Sequence, residues 1–488
     1  MKPKFIHFSA ALVALLLGPL RTAADENIKV DAAHQHKPNL ASVPIDLVCL
    51  LLFLLLLCSL LRAAMSSTST TIVSEHRLTR RSMQNGSLNE AVVTLEKISG
   101  HPDTPRHAEA RKKLAKSMTI GWGNWNAQHP RHRLLDALYG YSKYYERQKA
   151  EVDRLEGLYK HVSKAQRSLL EHQVQYSKKF SRIDGLLRKN QELCDDIVQH
   201  AMSFYEIEQD EFQKHAQSLK SSGRLADKVS VSQALKHYVR DWTETGESER
   251  STTFSCLVKA LEGIFPDRDG ATPVKVLVPG AGLGRLGHDI AGLGGFEVTI
   301  NEWSMYMNIA YRFIETNRLR NFHSFHPFVD GWSHHATEQD MTRELAFPDT
   351  SLNSSSVVLV EGDFTTVFND KTGTFDVVVT YFFIDTARNL MSYLDTIKKV
   401  LKPGGHWVNL GPLLYGTGPF VQLSLDEIVQ VTEAMGFEYL DTDESCGPLT
   451  FPERKIRGME AVYGFDDRAL TKSAYNAQFW VAKRSPKL

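Results

Sequence analysis

The sequence predicts an α/β fold, a largely parallel sheet with helices on both faces, preceded by a helical region. Two observations carry this. Five short apolar runs near 274–278, 296–300, 356–360, 375–380 and 405–410 alternate with stretches of helical periodicity, the pattern of strands joined by helical crossovers. From Leu134 to Gln217 glycine and proline almost vanish, while apolar residues recur every three or four positions: Leu155, Leu158, Val162, then Leu169, Leu170, Val174, then Leu186, Leu187, Leu193, Ile197. That spacing predicts two long helices and a shorter one packed as an antiparallel cluster.

Length and charge narrow the class. With 488 residues the chain can hold two or three domains and a substantial core. Lys plus Arg number 57 and Asp plus Glu number 57, so no global basic field draws in nucleic acid. Cys49 and Cys58 lie in an apolar run, while Cys194, Cys256 and Cys446 are scattered without a CxxC or a His-rich companion. Neither a disulfide framework nor a zinc site is expected, which fits a reducing compartment.

Taken in order, residues 1–64 open with Lys2 and Lys4 before the apolar segment Phe5 to Leu20, resembling a signal peptide that ends near Ala23 and Ala24. A second run, Leu47 to Leu61, extended to Ala64, just reaches the ~17 residues of a short membrane helix, so anchoring through residues 45–64 is expected. The alternatives are a buried hairpin, or a gene-model extension upstream of Met65, whose Ser-Ser-Thr-Ser-Thr reads as a soluble start. Arg62, Arg77, Arg80 and Arg81 after the run place the remainder of the chain in the cytosol, with the nucleus also open to it. The sequons at Asn85 and Asn353 then stay unmodified.

Residues 65–132 form a polar linker region with short helices near Leu88 to Ile98 and Ala108 to Ser117; 133–255 form a helical domain, and 256–488 the α/β domain. Tyr141, Tyr144 and Tyr145 share one helix face as a core stripe. Val229 to Phe265 give two further helices. The segment 318–355 is too long for a simple connection and is expected as an insertion over the substrate side. A helix near Leu425 to Met435, a strand at Phe437 to Leu440 and a last strand near Gln478 to Ala482 complete the sheet.

The chemistry gathers at strand ends. In Val274-Lys-Val-Leu-Val-Pro-Gly-Ala-Gly-Leu-Gly-Arg-Leu-Gly287, Gly280, Gly282 and Gly284 let the backbone turn sharply and approach a ligand, and Glu302, closing the next apolar run, can accept from both hydroxyls of a ribose. Gly282, Gly284 and Gly287 also fit the dinucleotide fingerprint. Glu361-Gly-Asp-Phe364 closes a third strand, Phe375-Asp-Val-Val-Val-Thr380 makes a fourth, and Leu401-Lys-Pro-Gly-Gly405 leads into a fifth. Ligands of open α/β sheets sit outside the carboxyl ends of the strands, where Gly280, Glu302, Asp363, Phe364 and Tyr381 all fall.

This succession resembles the class I S-adenosylmethionine-dependent methyltransferases, in which a Lys-Pro-Gly-Gly turn before the fifth strand is typical. Pro279-Gly-Ala-Gly-Leu-Gly-Arg-Leu286, Asn301-Glu-Trp-Ser304, Phe382-Phe-Ile-Asp-Thr-Ala387 and Asn409-Leu-Gly-Pro-Leu-Leu-Tyr415 together resemble the carnosine N-methyltransferase family. The resemblance runs from about residue 130 to 488, through Ala137-Leu-Tyr-Gly-Tyr-Ser-Lys-Tyr-Tyr145 and Tyr238-Val-Arg-Asp-Trp242. It implies a Rossmann-like seven-stranded sheet with its last pair antiparallel, S-adenosyl-L-methionine as methyl donor, no metal, and a small histidine-containing peptide as acceptor. The implied reaction gives anserine and S-adenosylhomocysteine.

The resemblance also implies roles. Gly280 approaches the methionine part of the donor, Glu302 the ribose, and Asp363 with Phe364 the adenine by hydrogen bond and stacking, with Tyr381 at the next strand end. Arg240 reaches the donor carboxylate, unless it only forms an ion pair, and His237 stands where the family carries a glutamine. Asp385 is the candidate catalytic residue, since a carboxylate accepting the N–H of an imidazole turns the other nitrogen's lone pair toward the methyl group; its competing role is the cap of a helix beginning at Thr386. Gly416 replaces a family histidine that holds the acceptor, and Tyr475 matches an acceptor-contacting tyrosine by spacing. Asp376 and Trp303 look structural. Two other readings stand beside this one: methylation of histidine in a peptide or protein, favoured by Gly416, and an inactive membrane-tethered interaction protein, against which Glu302, Asp363 and Asp385 speak.

Overall fold

The computed structural model describes residues 104–316, 319–352, 354–416, 418–451 and 453–486. The apolar segments of 1–64, the expected helix near 88–98 and both sequon asparagines lie outside them. Among the described residues no helix is long and apolar enough to cross a membrane.

All five expected parallel strands form. The strands are β1 (Val274–Pro279), β2 (Phe296–Glu302), β3 (His323–Phe325), β4 (Leu345–Phe347), β5 (Val357–Glu361), β6 (Phe375–Tyr381), β7 (Leu401–Gly411), β8 (Phe437–Leu440), β9 (Arg457–Val462) and β10 (Ala474–Arg484). The main sheet runs β5-β2-β1-β6-β7-β10-β8, with β9 paired to β10. The pairs among β5, β2, β1, β6 and β7 are parallel, and β10 is antiparallel to β7 and β8, as the resemblance implies. Among the described residues the sheet has eight strands and not seven. The extra one, β9, reads Arg-Gly-Met-Glu-Ala-Val and has no clean alternation; its pairing with β10 makes it a strand.

The helical region departs further from expectation. It contains α1 (Pro105–Met118), α2 (Pro130–Ser142), α3 (Tyr144–Tyr159), α4 (Lys164–Val174), α5 (Tyr176–Phe204), α6 (Gln209–Ser221), α7 (Lys228–Trp242) and α8 (Glu247–Ile264). Five helices, α2 to α6, therefore occupy the stretch expected to hold three. The apolar period continues across each break, but local chemistry cuts it: Ser163 and Gln166 form a capping box that starts α4, and Gln175 turns left-handed at φ 49° to end it. The tyrosine stripe is split at Lys143, with Tyr141 on α2 and Tyr144 on α3, although both are buried in the core as expected. Helix α1, in the expected linker, packs on the sheet: Arg106 donates to the Val298 carbonyl at 3.0 Å, and the His107 Nε2 lies 2.9 Å from the Val357 carbonyl.

The insertion packs against the helical region. Its β3 and β4 pair antiparallel and pack on α5 and α7, where Tyr238 stacks on Phe347 with centroids 4.3 Å apart and the Asn190 side chain donates to the His326 carbonyl at 2.9 Å. Its far end meets the loop before β10, through Arg343 to Asp466 at 2.5 Å. One further expectation fails: Cys256 on α8 and Cys446 after β8 are joined as a disulfide, with Cα atoms 5.7 Å apart across 190 residues. Packing of α8 against that loop creates the pair, so spacing along the chain carries no trace of it.

Candidate functional site

The site grows from the turn after β1. Gly280, Gly282 and Gly284 have φ of 62°, 57° and 79°, left-handed values that glycine adopts without a steric penalty. Helix α7 holds this turn from one side, with Asp241 accepting from the Leu283 N–H at 3.2 Å and the Trp242 indole donating to the Leu283 carbonyl at 2.8 Å. A Cβ at Gly280 would lie 2.3 Å from the Phe383 ring, and one at Gly282 would lie 3.2 Å from His237 Nδ1. His237 and Phe383 are thus the walls of the glycine turn.

Arg240 is buried beside that turn. Its Nε donates to Asp241 at 2.8 Å and an Nη to His237 Nδ1 at 2.9 Å, so the ion pair weighed from sequence is present. Burial alone would raise the Asp241 carboxyl, but Arg240 and His237 outweigh it and hold the group well below the usual range. Burial lowers His237, with Arg240 adding to the effect, and keeps the ring neutral to accept from the guanidinium. The same guanidinium lies 4.8 Å from the Tyr463 ring.

Glu302 ends β2 with its carboxylate saturated on one side by backbone. It accepts from Trp303 N–H at 2.7 Å, Ser304 N–H at 2.8 Å and Gly282 N–H at 3.0 Å. Burial pushes its pKa up while these donors and Arg133 pull against it. Arg133, which sequence reasoning passed over, reaches in from α2, donates to the Trp303 carbonyl and stacks 3.6 Å over the Trp303 ring. Burial lowers its pKa to about 10, against the pull of Glu302, Asp363 and Glu361, so it stays charged at neutral pH. Its only sequence signal is a cation set directly before the core pair Leu134 and Leu135.

Asp363, at the end of β5, is exposed and accepts from the Thr365 N–H at 2.8 Å. The Phe364 ring is buried among Phe368, Phe383 and Tyr393, with the last two centroids 5.3 and 5.5 Å away, so it contributes backbone to the strand end while its face packs in the core. Tyr381 bonds to Thr253 at 3.0 Å. Tyr393 ties the cleft together. Burial pushes its phenol up to about 12, and Asp363, Glu302 and Asp385 all add to that shift.

Asp385 is near enough to act on this phenol through its charge. It sits inside the short turn Ile384–Thr386, and its Oδ2 accepts from the Leu414 N–H at 3.0 Å, a residue beyond β7. It therefore caps no helix at Thr386. At 6% exposure, burial drives its pKa up to about 7, only partly opposed by the Leu414 N–H. The preceding Phe382 has φ 49°, a left-handed conformation that an aromatic residue adopts only when its surroundings enforce it. A Cβ on Gly411 would lie 3.0 Å from the Phe382 backbone, so β7 needs glycine there to let this strained turn press close.

Around Asp385 stands an aromatic wall. Phe382 stacks on Tyr463 with centroids 4.8 Å apart, and Tyr475 meets Phe382 at 5.7 Å and Tyr463 at 6.3 Å. The Asp385 charge reaches the Tyr475 phenol, which burial also raises. Phe382 and Tyr463 were not singled out from sequence as site residues, because β9 and the strained turn bring them in. Among the described residues Gly416 has nothing within 4 Å of an added Cβ, which leaves space for a side chain.

Taken as a donor set, the cleft offers a glycine turn and a buried arginine at one end, two carboxylates for hydroxyl and amine donors in the middle, and a near-neutral buried carboxyl beside aromatic rings at the other. This fits a ligand with an amino-acid end, a diol and a heterocyclic amine lying next to an aromatic acceptor. Residues 217–486 match the carnosine N-methyltransferase family. A carnosine N-methyltransferase of Schizosaccharomyces pombe is 33% identical over 335 residues, 63% of this chain and 83% of that protein. One of Mus musculus is 32% identical over 324 residues, 64% of this chain and 79% of that protein. Similarity of this extent, carried by the whole α/β sheet that frames the cleft, establishes that the chain belongs to the carnosine N-methyltransferase family.

Proposed function

We propose that this protein transfers a methyl group from S-adenosyl-L-methionine to an imidazole nitrogen of carnosine or a related histidine dipeptide, giving anserine and S-adenosylhomocysteine. The observation that carries this reading is Asp385: a buried carboxyl with pKa near 7, set beside Tyr475, Phe382 and Tyr463. When bound, S-adenosylmethionine supplies an electrophilic methyl group. In this reading Glu302 takes a ribose hydroxyl on the one lone pair that its three backbone donors leave, on Oε2, Asp363 and the backbone at Phe364 take the adenine, Tyr381 closes the wall beyond them, and Gly280, His237 and Arg240 border the methionine end.

The acceptor imidazole has an ordinary pKa of ~6.5 and is mostly neutral at cytosolic pH, so its tautomer is what must be chosen. Ionised Asp385 accepts the N–H of one ring nitrogen and presents the lone pair of the other. As the ring gains positive charge, the same carboxylate stabilises it, and its near-neutral pKa suits it to receive that proton afterwards. The aromatic wall orients the ring and keeps water out, and holding the reacting atoms in line supplies much of the acceleration.

A second acceptor, histidine within a peptide or protein, is favoured by the open space at Gly416. We place the catalytic part in the cytosol, with the nucleus open to it, and attach it to a membrane through residues 45–64 where these persist in the mature chain. The apolar run and the arginines after it support that placement. The test of function is methyl transfer from labelled S-adenosylmethionine to carnosine, free histidine and histidine-containing peptides by the full chain. Transfer confined to a non-imidazole acceptor overturns the reading.

A further inference from the structure

Away from the cleft, α2 and α6 bring two imidazoles and a carboxylate together. His132 and Asp136 lie four residues apart on α2, hence on one face, and His215 comes from α6. His215 Nε2 is 2.8 Å from Asp136 Oδ1, and His132 Nδ1 is 3.7 Å from Asp136 Oδ2. One donor atom of each residue lies within 4.8 Å of the other two. The two imidazoles meet edge to face with centroids 4.9 Å apart, and the Trp125 ring packs on His132 at 5.8 Å.

His132 Nδ1 is buried and has no hydrogen-bond partner among the described residues. Buried polar atoms are normally satisfied, and one left bare is a mark of something missing. We infer that His132, Asp136 and His215 bind a divalent transition metal of the zinc class, clasping α2 to α6. Imidazole and carboxylate donors favour such a metal over calcium or magnesium, which take oxygen ligands. Zinc–nitrogen bonds of ~2.0–2.1 Å in tetrahedral array set donor atoms roughly 3.3 Å apart, so side-chain adjustment within the 4.8 Å that now spans the three donors brings them onto one ion.

Arg224 is the rival for this carboxylate. It sits 2.9 Å from Asp136 Oδ2 with a side chain 55% exposed, so it can swing into solvent when a cation arrives. The clasp has a reason to matter. The next residue along α2 is Arg133, which stacks over Trp303 beside Glu302, so a metal here fixes the helical turn that carries Arg133.

The test strips the full chain with a chelator and titrates it with Zn2+ by calorimetry and with Co2+ by visible absorption. The inference expects one tightly bound equivalent and a rise in Tm with Zn2+ that Mg2+ does not reproduce. His132→Gln and His215→Gln should each weaken binding by at least ~10-fold, the lower range for a change even outside the ligand set. Arg224→Gln should bind the metal as tightly as wild type or more tightly. Retained S-adenosylmethionine binding reports that each variant is folded, and the wild-type Tm shift decides should a histidine variant fail to fold. No stoichiometric wild-type binding, wild-type affinity in both histidine variants, or weaker binding in Arg224→Gln overturns the site.

Discussion

Replacing Asp385 by asparagine should make the protein more stable above neutral pH while removing most of its activity. The carboxyl is buried at 6% exposure, and its pKa stands near 7 against an ordinary value of 3.8. The folded protein therefore holds a proton on Asp385 between about pH 4 and pH 7 that the unfolded chain has released. Stability falls as pH rises through that window and levels off above it. A shift of about three units at ~1.4 kcal/mol each sets a ceiling of about 4 kcal/mol on this cost. Asparagine matches the shape, keeps an acceptor for the Leu414 N–H and never ionises. The stability of Asp385→Asn relative to wild type should thus rise by about 2–4 kcal/mol between pH 4 and pH 8, read by denaturant unfolding at several pH values. In the same variant, S-adenosylmethionine affinity should hold while turnover drops at least ~10²-fold, because an amide can offer a donor to the wrong ring nitrogen. A pH-independent stability difference between the two proteins, or undiminished turnover, refutes the reasoning.

The pH profile of kcat/KM for carnosine should fall on the acid side of about 7, since Asp385 must be ionised and the imidazole neutral; in Asp385→Asn only the acceptor's ionisation should remain. Glu302→Ala should weaken S-adenosylmethionine binding by about 1–3 kcal/mol in calorimetry, the scale for unmet partners of a charged group, and NAD binding in its place contradicts the assignment. Arg133→Ala should cost donor affinity by about 0.5–2 kcal/mol, the range of cation–π contacts from exposed to desolvated, and leave the KM for carnosine unchanged in steady-state assays. Tyr475→Phe should raise the acceptor KM more than it lowers kcat, and Gly416→His should lower that KM, because the space at Gly416 admits a ring.

The sheet was legible because each parallel strand is buried on both faces and so reads as a continuous apolar run, as at Val276, Leu277 and Val278. Residues that end strands were legible for the same reason: the position of Glu302, Asp363 or Asp385 follows from where the run stops. Helix breaks were not, since the apolar period passes straight through Lys143 and Gln175 while caps and a left-handed turn decide the boundary. Strand β9 escaped because neighbours and not propensity make it. Arg133, Tyr463 and the Cys256 to Cys446 bridge escaped because each depends on residues far apart in the chain meeting in space. The capping role weighed for Asp385 could be rejected only once its partner, Leu414, was seen on the other side of β7.

The most direct test of the central claim compares the full wild-type chain with Asp385→Asn, using labelled S-adenosylmethionine and carnosine, with the product resolved by the position of its new methyl group. The account predicts methyl on an imidazole nitrogen with wild type, and at least ~10²-fold less of the same product with the variant at equal donor occupancy. Equal rates from the two proteins, or methyl found only off the imidazole ring, would contradict it.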